Sequence, residues 1–200
     1  MELNQIELLA MNNWARKALL AHLEFPIFKA LIEEASLDLK GKHLLDIACG
    51  SGRSNWLLEV NYQPKSLTAF DLMPLQIKLA KQEPTAMTQR LQADLTQLGF
   101  KTGAFDAAFG FGILHHLLDW KKGAAEIARV LKPGGHLIIE EPNGRASAFF
   151  RIFAGFAIPQ EGAFTFEELE EELYRLGLKV LAYKKVLLPC FRAYLFKRED

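Results

Sequence analysis

The sequence predicts an α/β fold, in which a mostly parallel sheet of seven strands is covered by helices on both faces. Short apolar runs alternate with stretches of helical periodicity from residue 43 to residue 140, a pattern typical of βαβ units. The last two strand-like runs are separated only by the segment around Leu188 and Pro189. Because so short a connection leaves no room for a helical crossover, those two strands should be antiparallel. One domain is expected for 200 residues.

The individual elements follow from apolar spacing and from capping residues. Asp119 and Thr165 are typical N-caps, and Thr165 forms a capping-box pattern with Glu168. Gly177 is suited to the end of the predicted helix 165–176. The sequence Lys-Pro-Gly-Gly at 132–135 ends the predicted helix 119–131. The predicted strands are 43–47, 66–70, 90–93, 105–109, 136–140, 178–186 and 190–197. The predicted helices are 3–22, 26–36, 53–60, 74–82, 119–131 and 165–176.

Composition narrows the class of partner. Lys plus Arg and Asp plus Glu both number 24, so the chain lacks the broad positive field of nucleic-acid-binding proteins.

The two cysteines form no Cys-x-x-Cys pair and do not suggest a disulfide scaffold. The first residues lack the pattern of a signal peptide, and no apolar run reaches the ~20 residues that span a bilayer. We therefore expect a cytoplasmic protein without stable membrane insertion.

Acidic residues and glycines mark the carboxyl ends of four predicted strands. These ends are Asp46 with its glycine loop, Asp71, Asp94 and Gly110. In open parallel sheets, ligands bind beyond this edge. Glycines in the loop 46–52 allow a ligand to approach the backbone, and the following helix offers free N–H groups to an anion.

Two acidic residues favour a ligand that contains adenosine. The carboxylate of Asp71 can accept hydrogen bonds from a ribose diol, and Asp94 can accept one from an adenine amino group. The loop lacks the third glycine of the dinucleotide pattern G-x-G-x-x-G, because Arg53, Ser54 and Asn55 follow Gly52. A nicotinamide-dependent oxidoreductase is therefore the less favoured alternative.

Five motifs between about residues 40 and 197 resemble, in order and spacing, those of class I S-adenosylmethionine-dependent methyltransferases. They are the glycine loop at 44–52, the acidic ribose motif at 70–71, the adenine motif at 92–94, the fourth-strand motif at 105–117 and the turn before the fifth strand at 129–137. The His-His and Leu-Lys-Pro-Gly-Gly elements are similar to those of small-molecule methyltransferases, including quinone-biosynthesis C-methyltransferases. The segment 110–113 lacks the Asn/Asp-Pro-Pro-aromatic tetrad of the members that methylate base amino groups.

The resemblance implies a Rossmann-like fold and S-adenosyl-L-methionine as cofactor. It implies a helical cap at 1–39, a cofactor-binding half at 40–141 and an acceptor-side half at 142–200. The family usually has glycine where this chain has Ala48, a change that the family tolerates. The implied cofactor-binding residues are Asp46, Ala48, Cys49, Gly50, Gly52, Asp71, Leu72, Asp94, Leu95 and Gly110.

The implied reaction is direct displacement of the methyl group, for which the protein mainly aligns the two partners and excludes water. No catalytic residue is obligatory. If the acceptor must lose a proton, His115 or His116 is the candidate base, with His115 preferred. Cys49 is interpreted as a packing residue rather than a nucleophile, and no metal site is expected.

The apolar, aromatic-rich segment 145–158 has three open interpretations: a lid over the acceptor pocket, core packing, or a surface that faces a membrane or a partner. The first favours a hydrophobic or lipid-like small-molecule acceptor. An inactive cofactor-binding or regulatory module is the alternative function, and Ala48 is its only support. Neither the acceptor nor the oligomeric state follows from the sequence.

Overall fold

In a computed structural model, which describes residues 14–144, 163–186 and 191–199, the chain forms a seven-stranded sheet with the order β3-β2-β1-β4-β5-β7-β6. β1 to β5 are parallel, and β7 runs antiparallel to both β5 and β6. The predicted sheet is thereby confirmed. The strands are β1 His43–Ile47, β2 Ser66–Asp71, β3 Thr88–Gln92, β4 Phe105–Phe111, β5 Leu131–Pro142, β6 Leu178–Val186 and β7 Phe191–Arg198.

Helices occupy both faces of the sheet, as predicted. They are α1 Trp14–Leu19, which continues through a π-helical segment Leu20–Glu24 into α2 Phe25–Glu34, then α3 Arg53–Tyr62, α4 Pro74–Ala80, a 3₁₀ turn Leu114–His116, α5 Trp120–Val130 and α6 Phe166–Arg175. The predicted segments 3–13 and 145–158 lie outside the described residues.

Strand alternation divides the buried apolar side chains into two cores. Leu44 and Ile138 face α2 and α3, whereas Leu45 and Ile139 face α5 and α6. The predicted caps occur where expected, since Asp119 accepts a hydrogen bond from the backbone of Lys122 and Thr165 forms the capping box. Gly177 has the left-handed φ of 82° that favours glycine after a helix.

Most predicted boundaries differ from the observed ones by one or two residues, and two differ by more. The first two predicted helices are joined, because the π-helical segment bridges the expected gap before Pro26. β5 begins at Leu131 rather than at residue 136, since Leu131 pairs with Phe105 before the register shifts, and His136 then pairs with Ala107. The Lys-Pro-Gly-Gly sequence forms the irregularity between these two pairs, with Gly134 at a φ of 71°.

Candidate cofactor and acceptor site

The glycine loop between β1 and α3 is built from left-handed backbone. Ala48, Gly50 and Gly52 have φ values of 50°, 53° and 86°. Glycine adopts this conformation without a steric penalty, whereas alanine does so at a cost. The loop geometry therefore explains why the family that this motif resembles usually has glycine at the position of Ala48.

The two glycines of the loop have different surroundings. A Cβ atom added to Gly52 would lie 2.8 Å from Cα of Ala80, so this glycine lets the loop approach the end of α4. A Cβ atom added to Gly50 would meet nothing within 4 Å. Cys49, which precedes both glycines, packs in a small core with Ala69 and Ile77, and burial raises the pKa of its thiol, consistent with a packing role.

Asp46 lies beneath the loop and is 0% exposed. Its Oδ2 accepts hydrogen bonds from Ser54 Oγ at 2.6 Å and Asn55 Nδ2 at 2.5 Å, both in the first turn of α3. Its Oδ1 has no hydrogen-bond partner among the described residues. Burial raises the pKa of this carboxyl from 3.8 to about 7. Asp46 thus fastens the loop to α3 from below instead of lining a cleft.

Asp71 joins the end of β2 to the glycine loop. Its Oδ2 accepts a hydrogen bond from the Gly50 backbone N–H at 3.0 Å, and its Oδ1 accepts one from the Met73 N–H at 2.9 Å. The residue is 9% exposed, and burial raises the pKa of its carboxyl. Each carboxylate oxygen can accept a second hydrogen bond, so acceptor capacity remains at the rim of the loop.

The other predicted residues lie at varied depths along the same edge. Asp94 is exposed, and its Oδ1 accepts hydrogen bonds of 2.8 Å from both the backbone and the hydroxyl of Thr96. Leu95 is buried in the core, and Leu72 is exposed. Gly110 is packed under Ile139, whose side chain would lie 3.2 Å from an added Cβ atom.

A small cleft of about 70 Å³ opens above the loop. One wall is the loop, from Ala48 to Ser51, and Phe111 also lines the cleft. The opposite wall comes from the beginning of the helical segment, through Arg16, Lys17 and Leu20, which sequence analysis did not identify. Nothing in the sequence pattern signals this wall, because it lies about thirty residues before the loop.

His115 forms a buried pair with a residue that sequence analysis missed. Its Nδ1 lies 2.7 Å from Oε2 of Glu141 at the end of β5. Glu141 Oε1 also accepts hydrogen bonds from the backbone of Ile113 and Leu114, at 2.9 and 2.7 Å. His116 contacts the His115 ring, and burial lowers the pKa of His116 to about 3. The geometry favours His115 of the two.

No helix in the described part of the chain is long and apolar enough to cross a membrane. Within the same residues, no three His, Cys, Asp or Glu side chains come together as a set of metal ligands.

Comparison with known proteins identifies the domain. Residues 45–139 match the family model described as a methyltransferase domain. The matched span runs from the strand before the glycine loop to the middle of β5, and so contains the loop, Asp71 and Asp94. Over these residues the chain is similar to a methyltransferase domain, and the family implies S-adenosylmethionine as the cofactor.

Similar proteins agree with this assignment. The methyltransferase domain is 30% identical over 136 residues to the demethylmenaquinone methyltransferase of Thermus thermophilus, covering 63% of this chain and 60% of that protein. It is 29% identical over 152 residues to an O-methyltransferase of Penicillium expansum, covering 71% and 54%. The fold matches an S-adenosylmethionine-dependent methyltransferase of Mesorhizobium loti with a TM-score of 0.72 at 17% identity, covering 88% and 97%. The chain therefore spans a little over half the length of these two curated relatives.

Proposed function

We propose that this chain transfers the methyl group of S-adenosylmethionine to a small-molecule acceptor by direct displacement. One observation carries the proposal: the glycine loop, which lines the cleft, is joined to the acidic end of β2 by the Gly50–Asp71 hydrogen bond. This bond holds a half-buried backbone segment and a carboxylate side by side. Such a pair could bind the ribose of adenosine and the methionyl group attached to it.

The chemistry of the cleft fits the cofactor. Asp71 retains acceptor capacity for the ribose hydroxyls, and the open space at Gly50 admits close contact. The cationic side chains of Arg16, Lys17 and Arg53 line the cleft and would attract the carboxylate of the methionyl group. Asp94 would accept from the adenine amino group with the oxygen not used by Thr96. A volume of about 70 Å³ is below the roughly 300–1,000 Å³ of typical ligand pockets, so the helical wall would have to move outward.

When bound, S-adenosylmethionine supplies the methyl group and its own leaving group. The loop 48–52 and Asp71 would hold this cofactor for a displacement in which the acceptor would take the methyl group and S-adenosylhomocysteine would be left. The chain's own residues orient the two partners and exclude water. In this proposal residues 1–39 cap the site, 40–141 bind the cofactor and 142–200 face the acceptor.

His115 is proposed as the base for an acceptor that must lose a proton, and Glu141 as its positioning residue. The 2.7 Å contact fixes the ring, and leaves Nε2 as the nitrogen that can take the proton. We expect His115→Asn to lower kcat about 100-fold or more with little change in cofactor affinity. Glu141→Gln should lower kcat less and shift the pH profile of the reaction. Unchanged kcat in His115→Asn would remove the base from the mechanism.

Calorimetric titration with S-adenosylmethionine, S-adenosylhomocysteine and NAD tests the proposal. The two sulfur compounds are expected to bind at micromolar concentration and NAD is not. Asp71→Ala should weaken both by about tenfold or more, about 1.4 kcal/mol, and Asp71→Asn by less because it keeps one acceptor oxygen. Asp38→Ala, at an exposed turn away from the cleft, serves as the control.

Acceptor screening with labelled cofactor completes the test. Tight cofactor binding without methyl transfer across a broad acceptor panel would instead support a cofactor-binding module. The left-handed Ala48 is the observation that favours that second candidate. The hydrophobic character of the acceptor, peripheral contact through 145–158 and a cytoplasmic location also remain proposals.

A further inference from the structure

A pair of buried acids lies on the face of the sheet that carries α1 and α2. Glu140, near the end of β5, is 5% exposed, and its Oε2 has no hydrogen-bond partner among the described residues. An unpartnered carboxylate oxygen inside a protein is rare, because transfer of a charged group from water carries a large cost.

Glu24 is the second acid, at the end of the π-helical segment, and it is 6% exposed. Arg16 Nη1 donates a hydrogen bond to its Oε2 at 2.7 Å. Isolated π-helical turns occur frequently at functional sites, where the extra residue turns a side chain away from its regular direction. Here the segment delivers Glu24 into the interior beside Glu140.

Both acids lie next to the cleft. Glu140 pairs with Phe111 across the parallel strands β4 and β5, so the two side chains lie on the same face of the sheet. Phe111 lines the cleft, and so do Arg16 and Leu20 from the helical wall. Each acid is therefore adjacent to a residue that lines the cleft, Glu24 through its hydrogen bond from Arg16 and Glu140 through its pairing with Phe111.

This cluster contains more acids than cations. Glu24 and Glu140 are two carboxyl groups, and the positive group that acts on both is the Arg16 guanidinium. Burial raises the pKa of both acids, and the negative charges of Glu24 and Glu141 raise that of Glu140 further, so the neutral form is favoured without a ligand. A ligand with a positive charge and N–H donors would favour ionisation of both acids and would give Glu140 Oε2 a hydrogen-bond partner. Phe111, stacked on Phe28 with centroids 4.4 Å apart, offers an aromatic surface for the rest of that ligand.

We propose that Glu24 and Glu140 bind the protonated amine of the methyl acceptor, which is accordingly a small amine with an aromatic or apolar body. The proposal rests on the methyltransferase function proposed above and names its substrate class. Glu140 is a specificity residue in this arrangement. Its carboxylate distinguishes a cationic acceptor from a neutral one of the same shape.

The test uses phenethylamine and the neutral 2-phenylethanol as matched probes, titrated into the whole chain with and without S-adenosylhomocysteine. The wild-type protein should bind the amine about tenfold more tightly than the alcohol or better, and Glu140→Gln and Glu24→Gln should remove most of this preference, about 1.4 kcal/mol. Glu33→Gln is the control, since it removes the same charge from an exposed position on α2.

Equal affinity for the two probes in the wild-type protein, or no binding of the amine at millimolar concentration, overturns the inference. A preference that persists in both variants overturns it as well. The affinity for S-adenosylhomocysteine is read in the same samples and shows that the variants are folded. If the wild-type protein does not bind S-adenosylhomocysteine, the proposed function is refuted. The titration with the amine alone still tests the acid pair in that case.

Discussion

Asp46 supports the glycine loop with a buried carboxyl group. Its burial is unfavourable, because one of its oxygens has no hydrogen-bond partner among the described residues. Its two hydrogen bonds to α3 align the strand end with the helix start, and so fix the residues on which the left-handed turns depend. This support matters because Ala48 adopts a conformation that costs an L-residue roughly 1–2 kcal/mol.

The raised pKa of Asp46 makes stability depend on pH. Because its pKa in the folded state is about 7 instead of 3.8, the folded protein holds a proton that the unfolded chain releases. The contribution of Asp46 to the free energy of unfolding is fully present below pH 4 and is lost as the pH rises to about 7. Relative to Asp46→Asn, the wild-type protein should lose about 3 kcal/mol of unfolding free energy between pH 5 and pH 8.

Urea denaturation of both proteins at the two pH values measures this difference. The other buried acids are present in both proteins, and Asp71 is the one whose negative charge acts on Asp46; they are Glu24, Asp71, Glu140, Glu141 and Glu172. The same pH dependence in wild type and variant would mean that Asp46 is ionised throughout this range.

We expect the helical segment that begins at Trp14 to control access to the cleft, because Arg16, Lys17 and Leu20 line it. Lys17 Nζ pairs with Glu83 Oε1 at 2.7 Å, and Arg53 Nη1 lies 3.8 Å from Glu83 Oε2. Since Lys17 and Arg53 line the cleft from opposite sides, Glu83 links the helical wall to the end of the glycine loop.

Replacement of Glu83 by Gln should loosen this link. Because partly exposed ion pairs contribute about 0.2–1 kcal/mol, we expect S-adenosylhomocysteine to associate about two- to fivefold faster, as measured by stopped-flow fluorescence. Glu33→Gln, which breaks the exposed Lys29–Glu33 pair on α2, should leave the rate unchanged. Slower or unaltered association in Glu83→Gln would show that the helical wall does not limit entry.

Local elements were predictable where a local physical cause determines them. Strand alternation, the Asp119 cap and the Thr165 capping box depend on residues within a few positions of one another. The π-helical segment was not predicted, since its extra residue leaves the apolar spacing close to that of two ordinary helices.

At the scale of the whole molecule, the sheet order brings together residues that are far apart in the chain. Asp46, Asp71 and Gly110 were predictable at one edge because parallel strands share a direction. Glu141 and the Glu24–Glu140 pair were not, since their contacts join β5 to segments 26 to 116 residues earlier. In the sequence, Glu140 and Glu141 are only two acids before a proline.

The π-helical segment Leu20–Glu24 also sets the rotational phase of the chain before it. Such a segment is equivalent to one residue inserted into an α-helix, and one residue corresponds to about 100° of rotation. A chain with one residue fewer between Leu20 and Glu24 would keep Phe28 and Leu31 in the core, while Arg16 and Lys17 would swing about a quarter turn away from the cleft. The length of this short segment, rather than its composition, therefore determines which side chains the helix presents to the ligand.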